Sequence, residues 1–239
     1  MATYVLVHGG GHGGWCYQRV ARILRARGHE VHAPTLTGLG ERSHLLDATV
    51  DLHRHVEDVV AVLHYEDLRD VILVGHSYGG MVVTGAADRA AGRVGKLVYL
   101  DAATPVNGQS LFDVAGPVIG AVRPMGETRD GMELVLLPAP DAGLLYGVTD
   151  PDDLAWMAQR LTPHPWKCFE QPLELTDEEA LWAIPRYHIV CTSTLATRDP
   201  EQMAAARAEG RLWDIDTGHD LMLTEPERTA EALAAVAEG

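Results

Sequence analysis

Short apolar runs alternate with stretches of helical spacing, and this alternation constrains the fold more than any other feature of the sequence. The apolar runs lie at residues 4–7, 30–33, 71–74, 96–100, 187–191 and 212–215. Strands that alternate with helices along a chain form a parallel sheet with helices on both faces. The sequence therefore predicts an α/β fold with a mostly parallel, doubly wound sheet.

The alternation is interrupted between residues 105 and 184. This segment contains nine prolines and several glycines, and its helical spacing is confined to about 151–161 and 176–183. A chain of 239 residues suits one domain with a small insertion. We therefore predict a core of residues 1–104 and 185–239, with a small helical cap of residues 105–184 inserted after the sixth strand.

The charge of the chain limits its partners. Acidic residues outnumber basic ones, and the formal net charge is -15 at pH 7. Nucleic acids and anionic membranes bind basic surfaces, so we expect neither as a partner. No apolar run approaches the roughly 20 residues needed to span a bilayer. The remaining partner class is a small molecule.

The cysteines and the start of the chain bear on its location. Cys16, Cys168 and Cys191 are widely separated, and no two of them have metal-ligand spacing. Sparse, unpaired cysteines are typical of reduced thiols. The first strand begins at about residue 3, which leaves no room for a signal peptide. We therefore expect a cytoplasmic protein without a metal site.

Residues 74–80 read V-G-H-S-Y-G-G, directly after an apolar run. Within them Gly75 to Gly79 fit the pattern G-x-S-x-G of a nucleophile elbow. The serine of such an elbow stands on a sharp strand-to-helix turn, and glycines on either side avoid clashes in the tight turn. The pattern predicts Ser77 as a nucleophile. The alternative is an ordinary turn whose serine only caps the following helix.

A glycine-rich loop, H-G-G-G-H-G-G-W at residues 8–15, follows the first apolar run. Backbone N–H groups in such a loop can stabilise a developing oxyanion. We assign the two donors to Gly10 and to Tyr78, the residue after the predicted nucleophile. A phosphate-binding loop is the rival interpretation, but neither G-x-G-x-x-G before a helix nor G-x-x-x-x-G-K-[ST] occurs. Nucleotide binding is therefore disfavoured.

One of the twelve histidines stands at an informative position. His219 lies in the loop between the last apolar run and the last helical stretch. That loop is at the carboxyl edge of the predicted sheet, on the same side as Ser77. We predict His219 as the general base that activates Ser77. His8 and His76, which flank the glycine loop and the elbow, are interpreted as structural.

Four stretches together resemble the α/β-hydrolase superfamily and, within it, the branch of plant-type methyl esterases and hydroxynitrile lyases. They are V-L-V-H-G-G-G-H-G-G-W, V-G-H-S-Y-G-G-M, I-V-C-T and H-D-L-M-L-T-E-P. The resemblance is weakest in the insertion, which it implies is a cap over the active site. The lyases of this branch have a threonine and a lysine where this chain has Gly9 and Asp220. Because a carboxylate at 220 would repel cyanide, lyase chemistry is disfavoured.

The acid of the catalytic group is displaced relative to that branch. The resemblance implies an aspartate a few residues beyond I-V-C-T, where this chain has Ser193 and Thr194. Asp199 lies further along, before a proline, and is predicted to cap the next helix. Asp101 follows the apolar run 96–100, whose carboxyl end opens at the same crevice as Ser77. We predict Asp101 as the acid; the alternative is an aspartate that braces a loop.

These residues predict a serine hydrolase that cleaves a carboxylic ester or lactone of a small, largely apolar molecule through an acyl-enzyme. No cofactor is needed for this chemistry. Candidates for the substrate pocket are Trp15, Phe112, Leu144, Trp156, Met157 and Trp166. Two alternatives stay open: a non-catalytic, receptor-like binding protein on the same scaffold, and a lyase or tailoring enzyme of secondary metabolism. The sequence also leaves open whether the chain forms a homodimer.

Overall fold

A six-stranded parallel sheet forms the centre of the structure, and the computed structural model describes all residues, 1–239. The nine strands of the chain are β1 (Thr3–Val7), β2 (Glu30–His32), β3 (Val71–His76), β4 (Val94–Leu100), β5 (Glu127–Arg129), β6 (Met132–Val135), β7 (His164–Pro165), β8 (Arg186–Cys191) and β9 (Leu212–Ile215). The central sheet has the order β2-β1-β3-β4-β8-β9, and every neighbouring pair is parallel. The predicted fold class is confirmed.

Helices cover both faces of this sheet. They are α1 (Gln18–Ala26), α2 (Leu52–Tyr65), α3 (Gly79–Arg89), α4 (Leu111–Val122), α5 (Pro151–Ala158), α6 (Lys167–Glu170), α7 (Glu178–Ala183), α8 (Thr192–Leu195), α9 (Pro200–Ala208), α10 (Leu221–Thr224) and α11 (Pro226–Glu238). Helices α1 and α11 pack on one face, and α2 and α3 pack on the other. None of these helices has the combination of length and apolar character that a membrane span requires.

The alternation of side chains along β1 shows why the strands are apolar on both faces. Val5 and Val7 belong to the core under α2 and α3, whereas Tyr4 and Leu6 belong to the core under α1 and α11. All four side chains are fully buried. Because successive side chains of a strand point to opposite faces, a strand covered on both sides becomes a continuous apolar run. The central sheet thus separates two hydrophobic cores.

The segment between β4 and β8 differs in two ways from the predicted cap. It follows the fourth strand of the chain rather than the sixth, because two of the six central strands come after it. It also contains a small antiparallel sheet, β5-β6-β7, besides the expected helices α5 and α7. Strands of two to four residues leave little pattern in a sequence. The division of the chain at residues 105 and 184 stays a prediction.

Close packing explains the glycines of the elbow between β3 and α3. A Cβ atom on Gly75 would lie 2.5 Å from the carbonyl oxygen of Gly79, and one on Gly79 would lie 2.7 Å from the carbonyl oxygen of Val7. A Cβ atom on Gly80 would lie only 2.0 Å from the carbonyl oxygen of Ala103. Helix α3 therefore approaches the backbone after β4 more closely than any side chain allows, and this contact fixes the loop that begins at Asp101.

The substitution Gly80→Ala tests this close approach. Helix propensity alone favours alanine over glycine by about 1 kcal/mol. The clash with a backbone oxygen outweighs that gain, and we expect the free energy of unfolding to fall by about 1–3 kcal/mol. Gly92→Ala is the matched control, because nothing lies within 4 Å of a Cβ atom there. Urea denaturation followed by circular dichroism measures both variants; equal midpoints would contradict the packing argument.

Candidate active site

The loops that follow four strands of the central sheet meet at its carboxyl edge. Gly10 follows β1, Ser77 follows β3, Asp101 follows β4 and His219 follows β9. Ligands of open α/β sheets bind at this edge, in the crevice outside the ends of the strands. The structure thus places the sequence-predicted catalytic residues on one side of the sheet.

Ser77 occupies a strained turn. Its φ angle is 54°, in the left-handed region that residues with a side chain rarely adopt. The turn is held by its carbonyl oxygen, which accepts hydrogen bonds from the amides of Gly80 (3.0 Å) and Ala103 (3.1 Å). A Cβ atom on Gly9 would lie 2.8 Å from the Cβ of Ser77, so the glycine loop closes tightly on the serine. The side chain of Ser77 is consequently presented at the edge of the sheet, partly exposed.

Asp101 and His219 form the central contact of the site. The Nδ1 atom of His219 lies 2.5 Å from Oδ2 of Asp101. The carboxylate is fully buried, whereas a quarter of the imidazole surface stays exposed. Since Nδ1–H donates to Asp101, Nε2 is left to accept a proton. The structure therefore brings the predicted acid and base together, but no hydrogen bond joins the Ser77 hydroxyl to His219.

Further hydrogen-bond donors surround the carboxylate of Asp101, and none of these donors was predicted from the sequence. Thr194 Oγ1 lies 2.5 Å and Arg198 Nη2 lies 2.6 Å from Oδ1. The amide and the thiol of Cys191 lie 3.3 Å and 3.0 Å from the two oxygens. Thr194 occupies the position where the resemblance implies the acid, and this position could have indicated a role beside the carboxylate. No sequence pattern indicated such a role for Arg198. Asp199 caps α9 through the amide of Gln202 at 2.9 Å, as predicted.

The contact between Asp101 and His219 shifts the pKa of both groups in opposite directions. Burial acts to raise the pKa of Asp101, but the hydrogen bond and charge of His219 and the charge of Arg198 hold it well below its usual range. Burial acts to lower the pKa of His219, but the hydrogen bond with Asp101 and the neighbouring Cys191 raise it to about 9. Asp101 is thus a permanent anion, and His219 is a stronger base than an ordinary histidine.

The amides assigned to the oxyanion hole are free in this structure. Neither the Gly10 N–H nor the Tyr78 N–H donates a hydrogen bond within the protein. The peptide group that carries the Gly10 N–H is oriented by His8, whose Nδ1 lies 2.8 Å from the carbonyl oxygen of Gly9. His8 accepts the amide of Leu36 on its other nitrogen, and burial lowers its pKa to about 3. His8 is therefore a neutral structural histidine, as predicted.

Two other residues near His219 are buried. His76 donates from Nε2 to the carbonyl oxygen of His219 at 3.0 Å, and burial lowers its pKa to about 3. Asp220 is completely buried and lies 2.8 Å from Nε2 of His12. The Asp220 carboxylate therefore pairs with His12 and does not face a substrate, so the expectation that it would repel cyanide is wrong.

The four aromatic residues assigned to the substrate pocket form two separate pairs. Trp15 contacts Trp156 edge-on at 5.1 Å beside the core under α1 and α11. Phe112 contacts Trp166 at 6.0 Å, on the other face of the sheet. Trp166 also lines a cavity of about 240 Å³ that does not include Ser77. The substrate-binding role of these four residues stays a prediction.

Two other apolar side chains lie directly over the oxyanion loop. A Cβ atom on Gly10 would lie 2.8 Å from Leu136 Cδ1 and 3.0 Å from Phe169 Cζ. Both residues come from the segment between β4 and β8, Leu136 directly after β6 and Phe169 on α6. Sequence reasoning missed them because their position over Gly10 depends on the small antiparallel sheet, which the sequence did not predict.

Two side-chain clusters contain the residue types of a metal site. One is Asp101, Cys191 and His219; the other is His55, His164 and Cys168, with ligand atoms within 4.8 Å of one another. In the second cluster both ring nitrogens of His55 are already hydrogen-bonded, to the Tyr78 hydroxyl and to the carbonyl of Thr37, each at 2.9 Å. The described contacts thus satisfy His55 within the protein, and its ring supports the tyrosine of the elbow.

Comparison with known proteins agrees with this geometry. Residues 4–232 match the alpha/beta hydrolase family. The chain is 39% identical to the carbendazim hydrolyzing esterase of Nocardioides sp., over 99% of this chain and 100% of that one. It is 26% identical to methylesterase 2 of Arabidopsis thaliana, over 98% of this chain and 95% of that one.

A solved structure shows the same fold. An extracellular alpha/beta-hydrolase from a Paenibacillus species has a TM-score of 0.78 with this chain at 23% identity, and the match covers 98% of each chain. This structural similarity agrees with the family match and with the similarity in sequence to the two esterases. The chain belongs to the α/β-hydrolase family, in the branch that resembles the plant methylesterases, and it is a carboxylic ester hydrolase.

Proposed function

We propose that the chain is a serine esterase in which Ser77, His219 and Asp101 form the catalytic triad. The observation that carries this proposal is the 2.5 Å contact between His219 Nδ1 and the buried carboxylate of Asp101. It leaves Nε2 available beside the loop of Ser77, whose strained backbone is typical of a nucleophile elbow. The acid is supplied from the end of β4 instead of the loop after β8.

In the proposed reaction Ser77 attacks the ester carbonyl while His219 Nε2 accepts its proton. The hydrogen bond between Ser77 Oγ and His219 Nε2 forms when substrate is bound, since catalytic hydrogen bonds often tighten only in the substrate complex. The N–H groups of Gly10 and Tyr78 stabilise the oxyanion, and Asp101 stabilises the imidazolium. His219 then protonates the leaving alcohol. A water molecule, activated by the same imidazole, releases the acid from Ser77.

The substrate we propose is an ester or carbamate with a small alcohol, methanol above all, and an apolar acyl part. Leu136 and Phe169 lie over Gly10, where the acyl group of a bound ester would stand. The relatives support the small alcohol, since one is named a methylesterase and another a carbendazim hydrolyzing esterase. Apolar walls favour acyl groups without charge.

Covalent labelling tests Ser77 directly. We expect one fluorophosphonate adduct on the native protein by intact mass, and none on Ser77→Ala, because only an activated hydroxyl reacts. The same substitution should lower kcat for methyl esters and for carbendazim by about 10⁴-fold or more. Ser193→Ala is the matched control and should label like the native protein. A native protein that takes no adduct over hours would overturn the triad.

The pH dependence of kcat/KM tests the acid. His219 must be neutral to accept a proton, so activity should rise with pH through the raised pKa of His219, toward about 9. Asp101→Asn removes the charge that raises this pKa, so the rise should move to lower pH, and kcat should fall by about 10²–10⁴-fold. Asp199→Asn, which alters only a helix cap, should leave the profile in place. An unchanged profile in Asp101→Asn would assign the acid elsewhere.

A further inference from the structure

His12, in the glycine loop, is bonded on both ring nitrogens although it is completely buried. Nδ1 lies 2.8 Å from the carbonyl oxygen of Gly10, and Nε2 lies 2.8 Å from Oδ2 of Asp220. Gly10 belongs to the oxyanion loop, and Asp220 is the residue next to His219. A single imidazole therefore connects the two loops whose separation the catalytic geometry depends on.

The number of protons on this ring follows from its partners. A carbonyl oxygen only accepts, so Nδ1 of His12 carries a hydrogen. The proton between Nε2 and Asp220 belongs either to the ring, which gives an ion pair, or to the acid, which gives a neutral pair. Burial acts to raise the pKa of Asp220, but the charge and hydrogen bond of His12 outweigh it and lower this pKa. Imidazole is an intrinsically stronger base than a carboxylate, so the proton shared in the 2.8 Å contact favours the ion pair.

The surroundings of His12 suit a cation. Trp15 stacks on the imidazole at 5.2 Å, and Tyr146 meets it edge-on at 4.7 Å. Aromatic faces attract cations through their quadrupole. Two other titratable groups that act on Asp220 are the neighbouring His219, which lowers the pKa of Asp220, and Tyr146, whose own pKa is raised by burial. Three further groups face Asp220: His76, 3.7 Å away, and the buried Cys16 and Tyr17. Burial lowers the pKa of His76 to about 3 and raises the pKa of Cys16 and of Tyr17, so all three are neutral.

We propose that His12 is held as an imidazolium by Asp220, and that this buried ion pair sets the position of the oxyanion loop relative to the loop of His219. Both are positioning residues, and the inference rests on the proposed triad. Tyr146 strengthens the connection: its carbonyl accepts the amide of Asp220 at 3.0 Å, and its hydroxyl lies 3.4 Å from the Gly10 carbonyl.

The chemistry of Asp220 offers a matched pair of substitutions. Asparagine can donate to Nε2 of a neutral His12 while Nδ1 still donates to Gly10, so Asp220→Asn keeps both hydrogen bonds and removes both charges. Asp220→Met cannot bond to Nε2, so it leaves that nitrogen of the buried His12 ring without a partner. Asp214→Met is the control, since Asp214 is exposed on β9 and pairs only with Arg207 at the surface.

Nitrogen-15 NMR of the ring tests the charge, independently of any activity. We expect both nitrogens of His12 to show the imidazolium signature in the native protein at neutral pH, and the neutral signature in Asp220→Asn. A neutral His12 in the native protein would overturn the ion pair. This readout holds even if Ser77 takes no fluorophosphonate, so failure of the proposed triad and failure of the ion pair are distinguishable.

Kinetics test the positioning role, with variants whose melting temperature equals that of the native protein. In Asp220→Met we expect kcat to fall by about 10–100-fold with KM within threefold, because a displacement of about 1 Å has this effect on rate. The affinity for a boronic acid that mimics the tetrahedral intermediate should fall by the same factor. Asp220→Asn should recover at least tenfold of that loss. Native kcat in Asp220→Met would overturn the role.

Discussion

The buried carboxylate of Asp101 is the interaction on which the candidate site depends. It receives hydrogen bonds from His219, in the loop after β9, and from Cys191, Thr194 and Arg198, at the end of β8 and in the segment that follows it. A carboxylate without water is costly unless each oxygen is paired. Here the pairing draws separate loops onto one charged group at the end of β4. The position of His219, the proposed general base, is thus a consequence of satisfying a buried charge.

Asp101, the proposed acid, and the residues after β8 are physically coupled. If an aspartate stood at position 194 while Asp101 kept its place, two carboxylates would share one site, and each would disfavour the ionisation of the other. Thr194 instead donates its hydroxyl to Asp101, and Arg198 adds a positive charge on the same oxygen. The hydroxyl residue at the customary acid position is therefore part of the environment that keeps Asp101 ionised.

Features that depend on residues close together in the sequence could be predicted, whereas contacts between distant segments were missed. Continuous apolar runs and the glycines around Ser77 are local patterns, so the sheet and the elbow could be predicted. Asp101 could be paired with His219 because the ends of neighbouring parallel strands meet at one edge. Leu136 lies over Gly10 only because a small antiparallel sheet folds back there, and no local pattern records that. The contacts of Arg198 depend on the same kind of long-range packing.

The histidines around the site show how one residue type serves opposite roles. A loop of glycines lets backbone amides approach a substrate, but it lacks side chains to hold its own conformation. Three histidines stabilise the conformation of this loop, because each forms a hydrogen bond with a peptide group of residues 9–11. They are His8, His12 and His164. Burial lowers the pKa of His8 and of His164, which keeps both neutral. Where a buried carboxylate lies beside the ring, burial no longer decides the pKa. Asp101 raises the pKa of His219, whose ring is partly exposed, and these two properties suit the proton exchange with a substrate that we propose for it.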